Sequence, residues 1–588
     1  MAERLQAVDV VIVGVGFTGS ILANELAAAG LSVVGLERGV DRDTVPDFQA
    51  PAMHDELRYA VRGDLFQNPA LEAFTFRNDV SQNALPIRAL GSFLPGTDLG
   101  GAGVHWNGQT WRFLPTDFRL RSHHEAKYGR GSVPDELTIQ DWPLGYDELE
   151  PYYDRFEKLL GIGGRAGNLR GEIRAGGNPF EGPRQSEFPN PPTEPAYAGA
   201  LFANAAAQLG YAPFQIPTAN MTRPYTNPEG LTLMACNICG YCERFGCEHF
   251  AKSSPQTVIL PKVRSRPNVE LRMRSHVTRV LLSPDRRTAT GVLYVDRDGR
   301  EIEQPASIVI LCSFGINNVK LMLHSGIGQP YDPSTGEGTV GRNYTYQTMA
   351  SVNVFYPESV NINPFMGAGA LGTVIDDFNG DNFDHGGLGF VGGAYVGAIT
   401  SGGRPIEYHP VPSGTPRWGL GWKQAVRRHY NHTVGLSVHG SSMGTRGNYL
   451  SLDPVYRDSF GVPMLRFTYD FPENDVRMAN YVTDRTAEIA QLMGGERINA
   501  SPRSTPYSVV PYQTTHNTGG AVMGADPRVS ATNRYGQSWD VSNVFVQGAC
   551  LYPQNPGYNP TGTVGALAYW TADAIKGRYL AEPGPLVR

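Results

Sequence analysis

The first forty residues set unbroken apolar runs against one stretch of helical period. "VDVVIV" at Val8–Val13 predicts a buried strand, "SILANELAAAG" a helix closed by Gly30, and "LSVVGLERG" a second strand. A β–α–β opening predicts a parallel sheet with helices on its faces. Further on, "VELRMRSHVTRVLLS" and "ATGVLYVDRDG" alternate with period two and predict an antiparallel sheet. "ASIVILCSFG" is continuously apolar and reads as another buried strand, followed by a helix over "INNVKLMLHSGIG". The chain ends with strand "NVFVQG", loop "ACLYPQNPGYNPTG" and helix "TVGALAYWTADAIKGRYL".

Three stretches break this pattern. Residues from about 45 to 90 are polar and irregular. Residues 160–200 are rich in Gly, Pro and Asn, which predicts a long surface connection. Residues 345–505 turn to Asn, Gly, Pro and aromatics with several short strands. The simplest organisation is α/β (α+β overall): a nucleotide-binding domain from 1–120, 206–344 and 506–588, and an inserted substrate domain with a mostly antiparallel sheet from 121–205 and 345–505.

Bulk properties narrow the function. With 588 residues, 41% hydrophobic, the chain has enough apolar content for a large core. A net charge of −6 and no basic run leave nothing to attract nucleic acid. No run of about eighteen apolar residues exists, so any membrane association is expected through a partner. "MAERLQAVDVVIVG" enters a strand within eight residues, which predicts no signal peptide of its own.

Between first strand and first helix lies "GVGFTG", the pattern G-x-G-x-x-G at Gly14, Gly16 and Gly19, with Glu37 ending the second strand. Gly14 makes the tight turn, Gly16 admits a pyrophosphate, Gly19 lets helix and strand pack, and Glu37 is placed to accept ribose hydroxyls. The sequence therefore predicts dinucleotide binding.

"CNICGYCERFGC", Cys236 to Cys247, holds four of the six cysteines. Disulfides between them would close only tiny loops. The spacing C-x2-C-x2-C-x4-C is near that of ferredoxins and equally compatible with structural zinc, so Cys236, Cys239, Cys242 and Cys247 are expected to hold a metal or an iron–sulfur cluster. His249 close behind reads as a surface histidine.

With these residues in view, the chain resembles the glucose–methanol–choline (GMC) flavoprotein oxidoreductases over nearly its whole length. The resemblance is carried by the N-terminal motif, "LGGAGVHWNGQTWRFLPTDF", "HSGIG", "VGRN" at Val340 to Asn343, "TTHNTGGAVMG" and "GYNPTGTVGALAYWTADAI". The cysteines make it similar to a branch of bacterial sugar and sugar-acid dehydrogenase flavin subunits. That resemblance implies FAD, a three-iron four-sulfide cluster with one cysteine spare (Cys239 by a loose correspondence), a small subunit bearing the export signal, a cytochrome c subunit, and a place on the periplasmic face of the inner membrane. It also implies oxidation of a secondary alcohol of a sugar acid or sugar, as in gluconate to 2-ketogluconate.

Oxidising an alcohol through a flavin needs a base for the hydroxyl proton, with a pKa near the working pH, which favours histidine. Of thirteen histidines, His516 in "TTHNTGG" matches the family's catalytic position, and Asn559 in "GYNPTG" matches its partner. Asparagine donates an N–H but takes no proton, so His516 is the expected base. Gly100, Gly101, Gly103, Asn107 and Gly548 are expected against the cofactor. His105 stands where some relatives attach the flavin covalently; packing against non-covalent FAD is the equal alternative.

Overall fold

The computed structural model describes residues 2–49, 64–88, 93–404, 408–510 and 513–587. The opening strand Val8–Val13 lies between Val33–Leu36 and Glu301–Leu311, parallel to both. Buried from Val10 onward, it has no solvent side and so shows no alternation. Helix Phe17–Ala28 crosses from the first strand to the second, and Gly30, at φ +91°, makes the turn that a β-carbon would strain.

Strand Glu301–Leu311 changes character along its length. Residues 301–305 pair antiparallel with Ala289–Val295, which in turn pairs with His276–Leu282. Its second half, "ASIVIL", runs parallel between Val8–Val13 and Val544–Val546. One strand thus joins an antiparallel flap to the parallel nucleotide sheet, and its sequence shifts from alternating to continuously apolar where the pairing changes.

The expectation of an antiparallel sheet over "VELRMRSHVTRVLLS" holds only for its second half. Val269–Arg272 pairs parallel with Val33–Leu36 at the sheet edge. The chain then bends at Arg274, φ +52°, before His276 begins the flap. One apolar rhythm therefore serves two sheets.

A six-stranded antiparallel sheet forms the second layer, in the order Arg497–Ser501, Thr348–Phe355, Thr433–Gly440, Ala394–Ile399, Gly372–Ile375, Phe214–Gln215. Helices Tyr197–Gln208 and Glu473–Leu492 cover one face, burying Phe202, Val352, Leu436 and Val482. The other face looks toward the nucleotide sheet. A smaller sheet joins Phe74–Arg77 to Pro463–Thr468 in parallel, tying early chain to late.

Residues 160–200 are no simple surface connection. Arg184 is fully buried, and Asn190 and Phe188 nearly so. Arg184 bonds both carboxylate oxygens of Glu157, which also accepts from Arg112 Nε and Nη2 at 2.8 Å each. The glycines let backbone approach backbone: a β-carbon on Gly167 would sit 2.0 Å from the Asn178 carbonyl oxygen. Composition predicted looseness, whereas close packing is what the glycines permit.

Candidate active site

The two layers enclose a cavity of about 470 Å³. The nucleotide sheet contributes Gly14, Gly16 and Glu37 to its wall, and the following glycine-rich turn adds Gly101, Gly103, His105 and Asn107. Gly14 has φ +89°, and a β-carbon there would meet the Cys312 carbonyl oxygen at 2.7 Å. Gly16 ends at the N-terminus of helix Phe17–Ala28, whose unpaired N–H groups and dipole favour an anion. Gly19 faces away, and its β-carbon would lie 2.2 Å from the Gly14 carbonyl oxygen. Gly100 is also off the cavity wall; with φ +101° it packs on Gln256, so its role is the turn rather than the ligand surface.

Glu37 is buried and accepts N–H groups from Val15 at 3.0 Å and Gly39 at 2.9 Å, one on each carboxylate oxygen. Burial raises its pKa, against the lowering effect of those donors. The carboxylate is thereby fixed at the rim of the cavity with lone pairs to spare. This glycine-lined trough, helix terminus and anchored acid fit a dinucleotide.

At the opposite end, strand pair Thr345–Tyr346 with Asn517–Thr518 brings His516 beside Gln347. His516 Nδ1 lies 2.6 Å from Gln347 Oε1 and 2.9 Å from Thr514 Oγ1. Gln347 Nε2 is committed to the Gly557 carbonyl, which leaves Oε1 facing the ring. An amide oxygen only accepts, so Nδ1 carries the proton and the lone pair is on Nε2. Burial holds the imidazole down at about 4, opposed by the Glu243 carboxylate, so the ring is neutral at ordinary pH.

Asn559 precedes helix Thr561–Ala574, and its Oδ1 lies 3.0 Å from the Tyr395 hydroxyl. That hydroxyl is also 2.9 Å from Gln109 Oε1, which Trp111 Nε1 already donates to at 3.4 Å. The Tyr395 proton is thus best used on Asn559 Oδ1, turning the amide N–H groups of Asn559 toward the cavity it lines.

His439 escaped the sequence reading. It pairs across strands with both Met349 and Tyr395, stacks on the Tyr395 ring at 4.5 Å, and lines the cavity with His516. Burial, with the His516 ring adding to it, lowers its pKa to about 3. Its position in "TVGLSVHG" carries only the signal of a strand; pairing with distant strands gives it a place at the site. Gln347, Gln109, Glu243 and Arg404 were also missed, for the same reason.

His105 is 95% buried, packs edge-on against Phe66 at 4.6 Å, and has an Nε2 without a hydrogen-bond partner. Burial first, then the Lys252 and Arg244 charges, lowers its pKa to about 3. Gly548 has φ +122° and lines the cavity.

Behind His105 lies the cysteine segment. The Arg244 N–H donates to the His105 carbonyl at 2.6 Å, and Lys252 Nζ binds the carbonyls of Trp106, Cys242 and Phe245 at 2.8 Å each. Cys236, Cys239, Cys242 and Cys247 all line one small cavity and none forms a disulfide. Burial raises the Cys236 thiol to about 11 and pushes Cys239 and Cys242 up, with the other thiols adding to it. The Cys236 and Cys242 sulfurs accept N–H groups from Ile238 and Asn220, at 3.4 and 3.6 Å. Among the described residues, no three of the thiols lie within 4.8 Å of one another.

Residues 140–349 and 444–568 match the N- and C-terminal profiles of the GMC oxidoreductase family. The gluconate 2-dehydrogenase flavoprotein of Pantoea cypripedii is 48% identical over 100% of this chain and 96% of its own. This chain is a GMC oxidoreductase. As such it is an FAD-binding enzyme acting on CH–OH groups, and the glycine-lined trough has the features such a dinucleotide needs. The fructose dehydrogenase large subunit of Gluconobacter japonicus is 25% identical over 98% of this chain and 99% of its own. The same fold occurs in pyridoxine 4-oxidase from Mesorbium loti, with a TM-score of 0.59, 18% identity and coverage of 97% and 99% of the two chains.

Proposed function

We propose that this GMC oxidoreductase is a sugar-acid dehydrogenase that oxidises a secondary alcohol, with gluconate to 2-ketogluconate as its reaction, and passes electrons through an iron–sulfur cluster to a cytochrome c subunit. The observation that carries the chemistry is His516, neutral and held by Gln347 with its Nε2 lone pair directed away from that bond. His516 Nε2 takes the hydroxyl proton of the substrate. Asn559 donates an N–H to the same oxygen and fixes the alcohol's orientation. Bound FAD supplies the acceptor for the hydride. His439, stacked on the buried Tyr395 ring, supplies part of the cavity wall beside His516.

The redox task supports an iron–sulfur cluster over zinc in the cavity that the four thiols line. A flavin gives up electrons in pairs and a cytochrome accepts them singly, a division that redox-inert zinc cannot make. For that cluster the resemblance implies three iron atoms and one spare cysteine. The backbone bond from Arg244 to His105 joins that segment to the flavin wall, as an electron relay needs. The unpartnered His105 Nε2 suits either covalent attachment or contact with the flavin ring. A signal-bearing small subunit and a periplasmic location complete the reading.

Anaerobic purification with flavin, iron, sulfide and zinc analysis tests it. Gluconate oxidation should reduce both a dye and cytochrome c in a sample that contains iron and sulfide. Zinc in place of iron, or no turnover of sugar acids, refutes it.

A further inference from the structure

The six-stranded sheet turns one face to its helices and the other to the cavity, and strand Thr433–Gly440 shows both. Val434, Leu436 and Val438 are buried in the core beneath helices Tyr197–Gln208 and Glu473–Leu492. The alternate positions Ser437 and His439 line the cavity, with Met349 paired beside His439 on the neighbouring strand. This face therefore sets two polar side chains, two residues apart, along the cavity that His516 and Asn559 also line.

His439 is only 8% exposed, and its Nδ1 is buried without a hydrogen-bond partner among the described residues. Buried polar groups of this kind are uncommon in a folded protein, and on a cavity wall they point to a ligand that completes the bonding. The ring lies nearly flat on Tyr395, 4.5 Å away and tilted by 11°, and the Tyr395 hydroxyl is 3.0 Å from Asn559 Oδ1. The His516 ring is near enough for its charge to act on His439. His439 thus stands beside both residues that hold the reacting oxygen. It lacks the acceptor that Gln347 gives His516 to fix a tautomer, which leaves His516 as the base. Burial keeps the His439 ring neutral, with one N–H and one lone pair. That pair complements a hydroxyl, which both donates and accepts, better than a carboxylate, which only accepts.

We infer that His439 determines specificity: its ring binds the hydroxyl on the carbon next to the one oxidised, so that the site selects substrates with a vicinal hydroxyl over their deoxy analogues. Ser437 extends the same polar row to hydroxyls further along the substrate chain. This rests on the sugar-acid reading above, in which the carbon oxidised is C2 of gluconate and the neighbouring hydroxyl is on C3. No proton leaves through His439.

The test uses flavin-loaded protein, a dye acceptor, and two substrates of one carbon skeleton: gluconate, and 3-deoxygluconate, which has CH2 in place of the C3 carbinol. Wild-type protein should prefer gluconate about 10- to 100-fold in kcat/KM, because the deoxy analogue leaves the ring unpaired. His439→Phe keeps a ring on Tyr395 but has no nitrogen, and should narrow that preference to within about threefold of unity, with the larger loss on gluconate. His439→Gln keeps an N–H donor, should fall between, and reads the same ratio should the Phe variant fold poorly. A wild-type preference below about threefold, or one unchanged in the variants, overturns the role of His439 alone. Wild-type protein that oxidises neither acid overturns the sugar-acid reading and this inference together.

Discussion

The two walls of the cavity recognise in different ways. The nucleotide wall works through backbone: glycines at 14, 16, 101 and 103, a helix terminus, and one acid held by two N–H groups. The substrate wall works through side chains on elements far apart in sequence, His439 from one strand and His516 and Asn559 from the last eighty residues, with Gln347, next to another strand, holding His516. Backbone recognition needs a local conformation, so a short motif is sufficient to build it. Side-chain recognition needs a third dimension. The sharpest way to break this contrast is to remove one side chain from the second wall. His516→Ala should lower kcat by about 10²–10⁴ while the flavin spectrum persists, measured by dye reduction and absorbance. Near-normal turnover would mean that the proton leaves by another group.

Away from the cavity lining lies the buried charge cluster of Arg112, Glu157 and Arg184. Burial raises the Glu157 pKa, but the two guanidiniums outweigh it and hold the carboxyl at about 2. Glu157→Gln leaves two buried cations short of their partner and should cost about 3–5 kcal/mol of stability, read by thermal or denaturant unfolding. The native pKa lies below the unfolded value, so this contribution is present above the unfolded pKa, about 4.5, and is lost as pH falls toward 2. Acid unfolding of the wild type should steepen in that window, and the variant should lose that part of the slope.

How much was legible follows the same division. The β–α–β unit, Gly14, Gly16 and Glu37 could be placed because each acts within thirty residues of its neighbours. Gly100 was assigned to the ligand surface although it packs on Gln256, since sequence distinguishes a glycine needed for φ poorly from one needed for space. His516 and Asn559 were located by resemblance, and nothing in their own flanks says that Gln347 and Tyr395 orient them. Arg184 was hidden in a stretch whose composition looks loose, because glycine serves tight backbone packing as well as flexibility.

On the backbone wall the matching perturbation is Gly14→Ala. At φ +89°, with the Cys312 carbonyl 2.7 Å from the new β-carbon, it should cost about 1–3 kcal/mol and reduce the flavin content of purified protein. Retention of full flavin content with unchanged stability would show that this turn tolerates a side chain and that the wall is less dependent on backbone than the contrast requires.

The gentlest test concerns how the substrate wall sets a protonation state. Burial keeps His516 near 4, so kcat/KM should rise with pH on an acid limb at about that value. The same depression makes stability decrease as pH falls from the unfolded histidine value, about 6.5, to 4, because the unfolded chain takes up a proton that the native ring refuses. Gln347→Glu replaces an amide oxygen 2.6 Å from Nδ1 with a carboxylate. An opposite charge so near favours the imidazolium and should move the acid limb upward by about 1–3 pH units. Gln347→Leu removes the acceptor without adding charge, which should lower kcat by less than His516→Ala and leave the limb near its wild-type position. A limb that stays put in the Glu variant would mean that Gln347 packs against the ring without directing its proton, and the side-chain wall would then owe its chemistry to burial alone.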